Sequence, residues 1–364
     1  MAALDTIPRS RLALAGVAIA IVVLASAWLR TPGFTQGGFA SHDVAGILYN
    51  AMLLHDGELP YVADIELKAP GAFLIAFVLA GDDGTDIARL QVWANLWALA
   101  SVVATAVLAG RLFGAAAAVA AAVIVALVDA HLDSMDANYV TWTQLPMVLA
   151  WTWAFAATQR EGAARRLGFA AAGALAGAAT LVKQQEGIML LGIAVCAASP
   201  RVWAGSWRAG LRDGAAVVVG AILVHVPLVL LYAVHGELGA LAASYPLSRW
   251  GVRYVVSGGR DGGLVALREG VLATAYFLAL PLALAYPRLA WPWFLPLAMW
   301  FVPGTENGEP WQTALALAVA AATISLSELV ARQPGADDSA AREPTRRGSG
   351  RVARRVSVES SEAN

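Results

Sequence analysis

Asp43, Lys68 and Lys183 are the residues whose types and surroundings could do chemistry in this 364-residue chain. Asp43 lies in Ser41-His-Asp-Val-Ala-Gly-Ile-Leu-Tyr-Asn50, where Ser41 can cap a helix running through Leu54. A carboxylate in that first turn suits the helix dipole. It could equally be a general base, if held within hydrogen-bonding reach of a hydroxyl in a protected cleft. Lys68 ends Asp64-Ile-Glu-Leu-Lys68 and precedes Ala69-Pro70-Gly71, with Pro70 placed to open a helix ending near Gly81. An ammonium beside a helix N-terminus can hold a phosphate. The competing reading is an interfacial lysine paired with Asp64 or Glu66. Lys183 opens Lys183-Gln-Gln-Glu186 between two short apolar runs. That cluster must face protein or water, either to bind a ligand or to lock two helices together.

Further candidates surround these three. Asn50 lies at i+7 from Asp43 and shares its helix face; Tyr61 closes Gly57-Glu-Leu-Pro-Tyr61. Glu66 is the alternative base, and Gln184 neighbours Lys183. Between 235 and 268 come Tyr245, Arg249, Trp250, Arg253, Tyr254 and Arg260. Arginines interleaved with aromatics suit phosphate pairing and sugar stacking, or form an interfacial belt.

The elements that must position these residues follow from composition. The chain is 59% hydrophobic and 14% charged, with a mean hydropathy of +0.62. Soluble globules are closer to 45–50% apolar and 25% charged, so the expected class is an all-α polytopic transmembrane bundle. Ten spans are expected: about 12–29, 90–109, 115–130, 142–158, 167–182, 186–198, 214–234, 267–286, 290–303 and 311–330. Residues 30–88 form a first outer loop with two short juxtamembrane helices. Ala25-Ser26-Ala27 looks like a signal-peptidase site, but the apolar run continues past it, so an uncleaved anchor is expected. The single Cys196 excludes an internal disulfide. Residues 1–332 are the expected membrane domain and 333–364 a disordered arginine-rich cytoplasmic tail.

Basic residues set the expected orientation. With the N-terminus in the cytoplasm, seventeen of the 25 Lys and Arg fall inside and eight outside. Both termini are then cytoplasmic in a plasma-membrane protein, and Asp43, Lys68 and Lys183 face outward. Phosphate-binding glycine loops, metal-ligand clusters and Ser/His/Asp signatures do not occur, which argues against a nucleotide-driven pump or a membrane protease.

The first loop resembles the GT-C superfamily of membrane glycosyltransferases, in particular bacterial protein-O-mannosyltransferases and aminoarabinose transferases. The matching positions are Asp43, Tyr49, Ala51, Gly57, Pro60, Tyr61, Asp64, Lys68, Pro70 and Gly71. A later family pattern, a glycine-rich helix then Thr-Lys-Gln, is similar to Gly173, Gly177, Thr180, Lys183 and Gln184. Relatives often carry a second acid where Val44 stands, a Pro where Ala69 stands, and an acid after the position of Asn138. The resemblance implies inverting transfer of a sugar from a polyprenyl-phosphate donor to an envelope glycan, lipid or protein acceptor. Asp43 would be the base. Lys68 and Lys183 would hold the phosphate, with Arg249 or Arg253 assisting, and Asn50 and Tyr61 would position the sugar. Lysines supply the charge, so no metal or other cofactor is expected, and no nucleic-acid partner. The alternative is a transporter or flippase of lipid-linked sugars, or a non-catalytic partner of such an enzyme. Transporters place ionisable groups at mid-membrane and often show repeats.

Overall fold

The computed structural model describes residues 9–35, 42–63, 68–131, 136–203 and 205–244. The expected spans at 267–286, 290–303 and 311–330, the tail, Glu66, Arg249 and Arg253 lie outside them. Among the described residues the regular structure is entirely helical. In chain order it comprises α1 (Arg9–Leu29), α2 (Thr31–Thr35), α3 (His42–His55), α4 (Gly71–Leu79), α5 (Ile87–Phe113), α6 (Ala115–His131) and α7 (Tyr139–Thr158). Then come α8 (Gly162–Val182), a 3-10 turn (Gln184–Glu186), α9 (Gly187–Trp203), α10 (Trp207–Val234) and α11 (Leu238–Ser244).

Each of the first seven expected spans coincides with a helix. Two of these, at Ile87–Arg111 and Trp207–Val234, are long and apolar enough to cross a membrane. Shorter apolar stretches occupy α1, α6 and α9. The expected ten-span count therefore reduces to a helical chain with two helices of membrane-crossing length among the described residues. Helix α7 shows why it misses that test: Thr141, Thr143, Gln144 and Pro146 break its hydropathy, yet all four are buried. It is the inner helix of the bundle, packed on α5, α8 and α9.

Short connections make successive long helices antiparallel. One end of the bundle thus gathers the start of α5, the end of α6, the start of α7, the α8–α9 junction and the end of α10. The other end gathers Arg111, Arg160, Arg165, Arg166, Arg201, Arg208 and Arg212, against Glu161 and Asp213. Burial inverts the soluble pattern. Leu14, Val17, Ile21, Leu24 and Trp28 line one exposed face of α1, while Arg30, Asn95 and Asp129 are wholly buried. Contiguous apolar faces of this kind mark contact with lipid or with protein.

Small residues bring the backbones together. On α8, Gly173-x-x-x-Gly177 faces Val217 and Ala221 of α10, and Gly220 of α10 faces Ala170. A Cβ at Gly177 would stand 2.7 Å from the Ala221 Cα, and one at Gly173 or Gly220 would run into a carbonyl of the opposite helix. Without a solvent-driven hydrophobic effect, such close backbone contact is the main attraction between helices in lipid.

Buried polar groups then tie the helices. Arg30 donates to Asn95 Oδ1 at 2.8 Å and lies 3.8 Å from the Asp129 carboxylate. Gln144 Nε2 donates to Asp129 Oδ1 at 2.9 Å. The end of α1 is thereby joined to α5, α6 and α7. At the basic end, Asp213 of α10 accepts from Arg165 of α8 at 2.7 Å and pairs with Arg201 of α9 at 3.1 Å.

Candidate functional site

Helix α3 spans the segment expected from its cap and apolar spacing, and carries Asp43 in its first turn. The loop after it is shaped by Gly57, at φ +80°, and by Tyr61, at φ +68°. Left-handed backbone is unfavourable for an aromatic residue and persists only where surrounding contacts impose it. Those contacts are visible. The Tyr61 ring is buried between Phe73 of α4 and Tyr232 of α10, with centroids 6.4 and 6.2 Å away. Its hydroxyl donates to the Lys68 carbonyl, and the Tyr232 hydroxyl donates to the Pro60 carbonyl. Tyr61 is therefore a clamp on the loop that presents Lys68.

Pro70 caps α4 instead of forming its first residue, so Gly71 opens the helix. That one-residue difference matters, because Gly71 abuts the end of α8: an added Cβ would be 2.6 Å from the Leu181 carbonyl oxygen. Only glycine allows this approach. It places Ala69 where its N–H donates to Gln184 Oε1 at 3.1 Å. The two motifs, 115 residues apart in sequence, thus meet at the same end of the bundle.

The Lys68 ammonium donates to Asp43 Oδ1 and lies 4.9 Å from the centre of the Tyr139 ring. The Lys68 and Asp43 side chains are 23% and 39% exposed, so ligand can reach both. Asp64 and Glu66, the alternative partners expected for Lys68, lie outside the described residues. Tyr139 begins α7, behind a turn in which Asp136 Oδ1 accepts from the Asn138 N–H at 3.1 Å.

The remaining candidates are placed differently. Lys183 caps the end of α8 in extended conformation, and both Lys183 and Glu186 are buried. Asn50 is 1% exposed, and its Nδ2 donates to the Gly46 carbonyl at 3.0 Å. Asp43 and Asn50 share a helical face, on which the Asp43 side chain is partly exposed and Asn50 is buried. The sugar-positioning role expected of Asn50 would have to be played from this buried position. Outside the helices, the Thr85 N–H and hydroxyl hold the Asp83 carboxyl below its ordinary range.

No family model, curated protein or solved structure matches the chain. The chemistry of the site therefore has to carry any functional reading. Among the described residues, no group of three or more His, Cys, Asp or Glu could hold a metal ion. What the arrangement offers is a partly exposed carboxylate and ammonium over the buried Tyr139 ring, with a backbone amide and carbonyl fixed behind them. Sequence reasoning does not single out Tyr139 and Tyr232. Their signal is weak: each is a lone aromatic at the end of an apolar run, where interfacial tyrosines are commonplace.

Proposed function

We propose that the chain is a membrane glycosyltransferase of GT-C type, moving a sugar from a polyprenyl-phosphate donor to an acceptor hydroxyl on the extracytoplasmic face. The observation that carries this reading is the convergence of Asp43, Lys68 and the 183–186 segment at one end of the bundle. Spacing suggests a base and one phosphate-holding lysine, and the resemblance adds Lys183, without requiring that they meet.

In the proposed reaction the acceptor oxygen attacks the anomeric carbon. Asp43 takes the hydroxyl proton. The bond from that carbon to the phosphate oxygen breaks, its electron pair leaving with the lipid phosphate, which Lys68 and Lys183 stabilise. Arg249 and Arg253 remain proposed assistants. The wider architecture proposed is a multi-span plasma-membrane bundle with both termini cytoplasmic. Its support is the exposed apolar faces, the buried polar residues and the basic end opposite the site.

Two experiments test this. Purified protein in detergent should transfer sugar from a polyprenyl-phosphate donor, and Asp43→Asn should not. Transfer-independent movement of the intact lipid-linked sugar across proteoliposomes would instead favour the flippase reading. In cells, single cysteines at exposed Asp56 and Arg160 in a Cys196→Ala background should label from outside and inside respectively. Labelling of Asp56→Cys from the cytoplasm alone would overturn the orientation and the extracytoplasmic chemistry together.

A further inference from the structure

We infer that Asp43 and Lys68 form an exchangeable pair, in which an arriving lipid phosphate takes Lys68 from Asp43 and so frees the carboxylate. This rests on the donor reading of the site. The proposed base and the proposed phosphate holder bind each other. Neither is then fully available for its own role, since the carboxylate accepts from the ammonium and the ammonium's charge is neutralised.

The surroundings suit an exchange of partners. The Lys68 backbone is fixed at both sides, by the Tyr61 hydroxyl on its carbonyl and by Gln184 on the next N–H. Only the flexible four-carbon side chain has to move. Tyr139 presents a ring face to the ammonium at 4.9 Å, an attraction that does not depend on Asp43. Both ionic side chains are partly open to solvent, so the exchange does not strand a charge in an apolar interior. The donor's phosphodiester presents two non-bridging oxygens, as many as the carboxylate it displaces, and the anionic ligand arrives without needing a proton.

The consequence is coupling. If Asp43 occupies Lys68 most of the time, donor affinity is reduced by the fraction of chains with a free ammonium. By reciprocity, donor binding raises the fraction of chains with a free carboxylate. The base is therefore uncovered when a donor is present and covered when it is not.

The probe is a long-chain polyprenyl monophosphate, titrated into full-length protein in detergent, with the uncharged polyprenol as control. Asp43→Asn should bind the phosphate about two- to sixfold more tightly than the unsubstituted protein, and polyprenol unchanged. Asp43→Ala, which removes the acceptor altogether, should do the same. Lys68→Ala should weaken phosphate binding, and Asp43→Asn combined with Lys68→Ala should match Lys68→Ala alone, since the competition acts through the ammonium. Phosphate binding that is present but unchanged or weaker in both Asp43 variants overturns the exchange and leaves the donor reading standing. If the unsubstituted protein does not distinguish phosphate from polyprenol, the donor reading fails and the exchange fails with it.

Discussion

The two ends of the bundle each hold a carboxylate against a cation, and they are built to opposite purposes. At the basic end, Arg165 and Asp213 are 8% and 5% exposed. Arg165 also donates to the Thr158 carbonyl at 2.9 Å and covers the Phe169 ring, so one side chain fastens the end of α7 to α8 and α10. At the other end the Lys68 and Asp43 side chains, on or beside short helices, are 23% and 39% exposed. Burial separates a lock from a pair that can change partners. A buried pair loses heavily when one member is removed, whereas an exposed pair contributes about 0–1 kcal/mol and is free to serve a ligand.

The sharpest way to break that comparison is at Asp43. Asp43→Asn should lower sugar transfer by roughly 10²–10⁴-fold, as loss of a general base does. Its stability should fall by only about 0.3–1 kcal/mol, the worth of a first-turn charge. Single-turnover kinetics alongside thermal unfolding in detergent reads both. Near-normal transfer would move the base to Glu66.

Asp213→Ala should show the reverse. It leaves two guanidinium groups without their carboxylate, one of them buried, and should cost about 3–5 kcal/mol of stability. A melting temperature within a degree or two of the parent would show that the two ends do not differ in kind.

Packing comes next in size. Gly220→Ala drives a methyl into the Ala170 carbonyl and should cost about 1–3 kcal/mol, read from the same unfolding curves. Because the α8–α10 contact carries the 183–186 segment, this substitution tests whether the site tolerates loosening of the helices beneath it.

The smallest effect is expected at Lys68. Lys68→Arg keeps the charge but exchanges a compact ammonium for a planar fork, so donor affinity should be recovered only in part relative to Lys68→Ala. Equal affinity in Lys68→Ala and the parent would assign the phosphate to Lys183.

Much of the helical pattern is legible in the sequence because apolar run length is a one-dimensional signal. Local rules likewise find α3 and α4, through Asp43 in a first turn and Pro70 at a helix start. The five-residue α2 escapes them, lacking periodicity at that length. What local rules do not give is which polar residues meet. Tyr232 reaches Pro60 across 172 residues, and Lys68 reaches Asp43 across 25. The burial of Asn50 is hidden for a related reason: helical spacing says which residues share a face, and the depth of that face is set by neighbours far along the chain. One long-range link does leave a trace. Arg30, Asn95, Asp129 and Gln144 are polar interruptions in apolar runs, and such groups need one another in a membrane interior.

That same link sets a timetable for synthesis. Arg30 leaves the ribosome well before Asp129, and elongation at about 5–20 residues per second separates them by roughly 5–20 s. In a chain threaded into a bilayer as it is made, the guanidinium of Arg30 must wait at the headgroups until the carboxylate follows. On the proposed membrane reading, α1 takes its final position only after α6 has followed, and a helix made early is among the later ones to be seated.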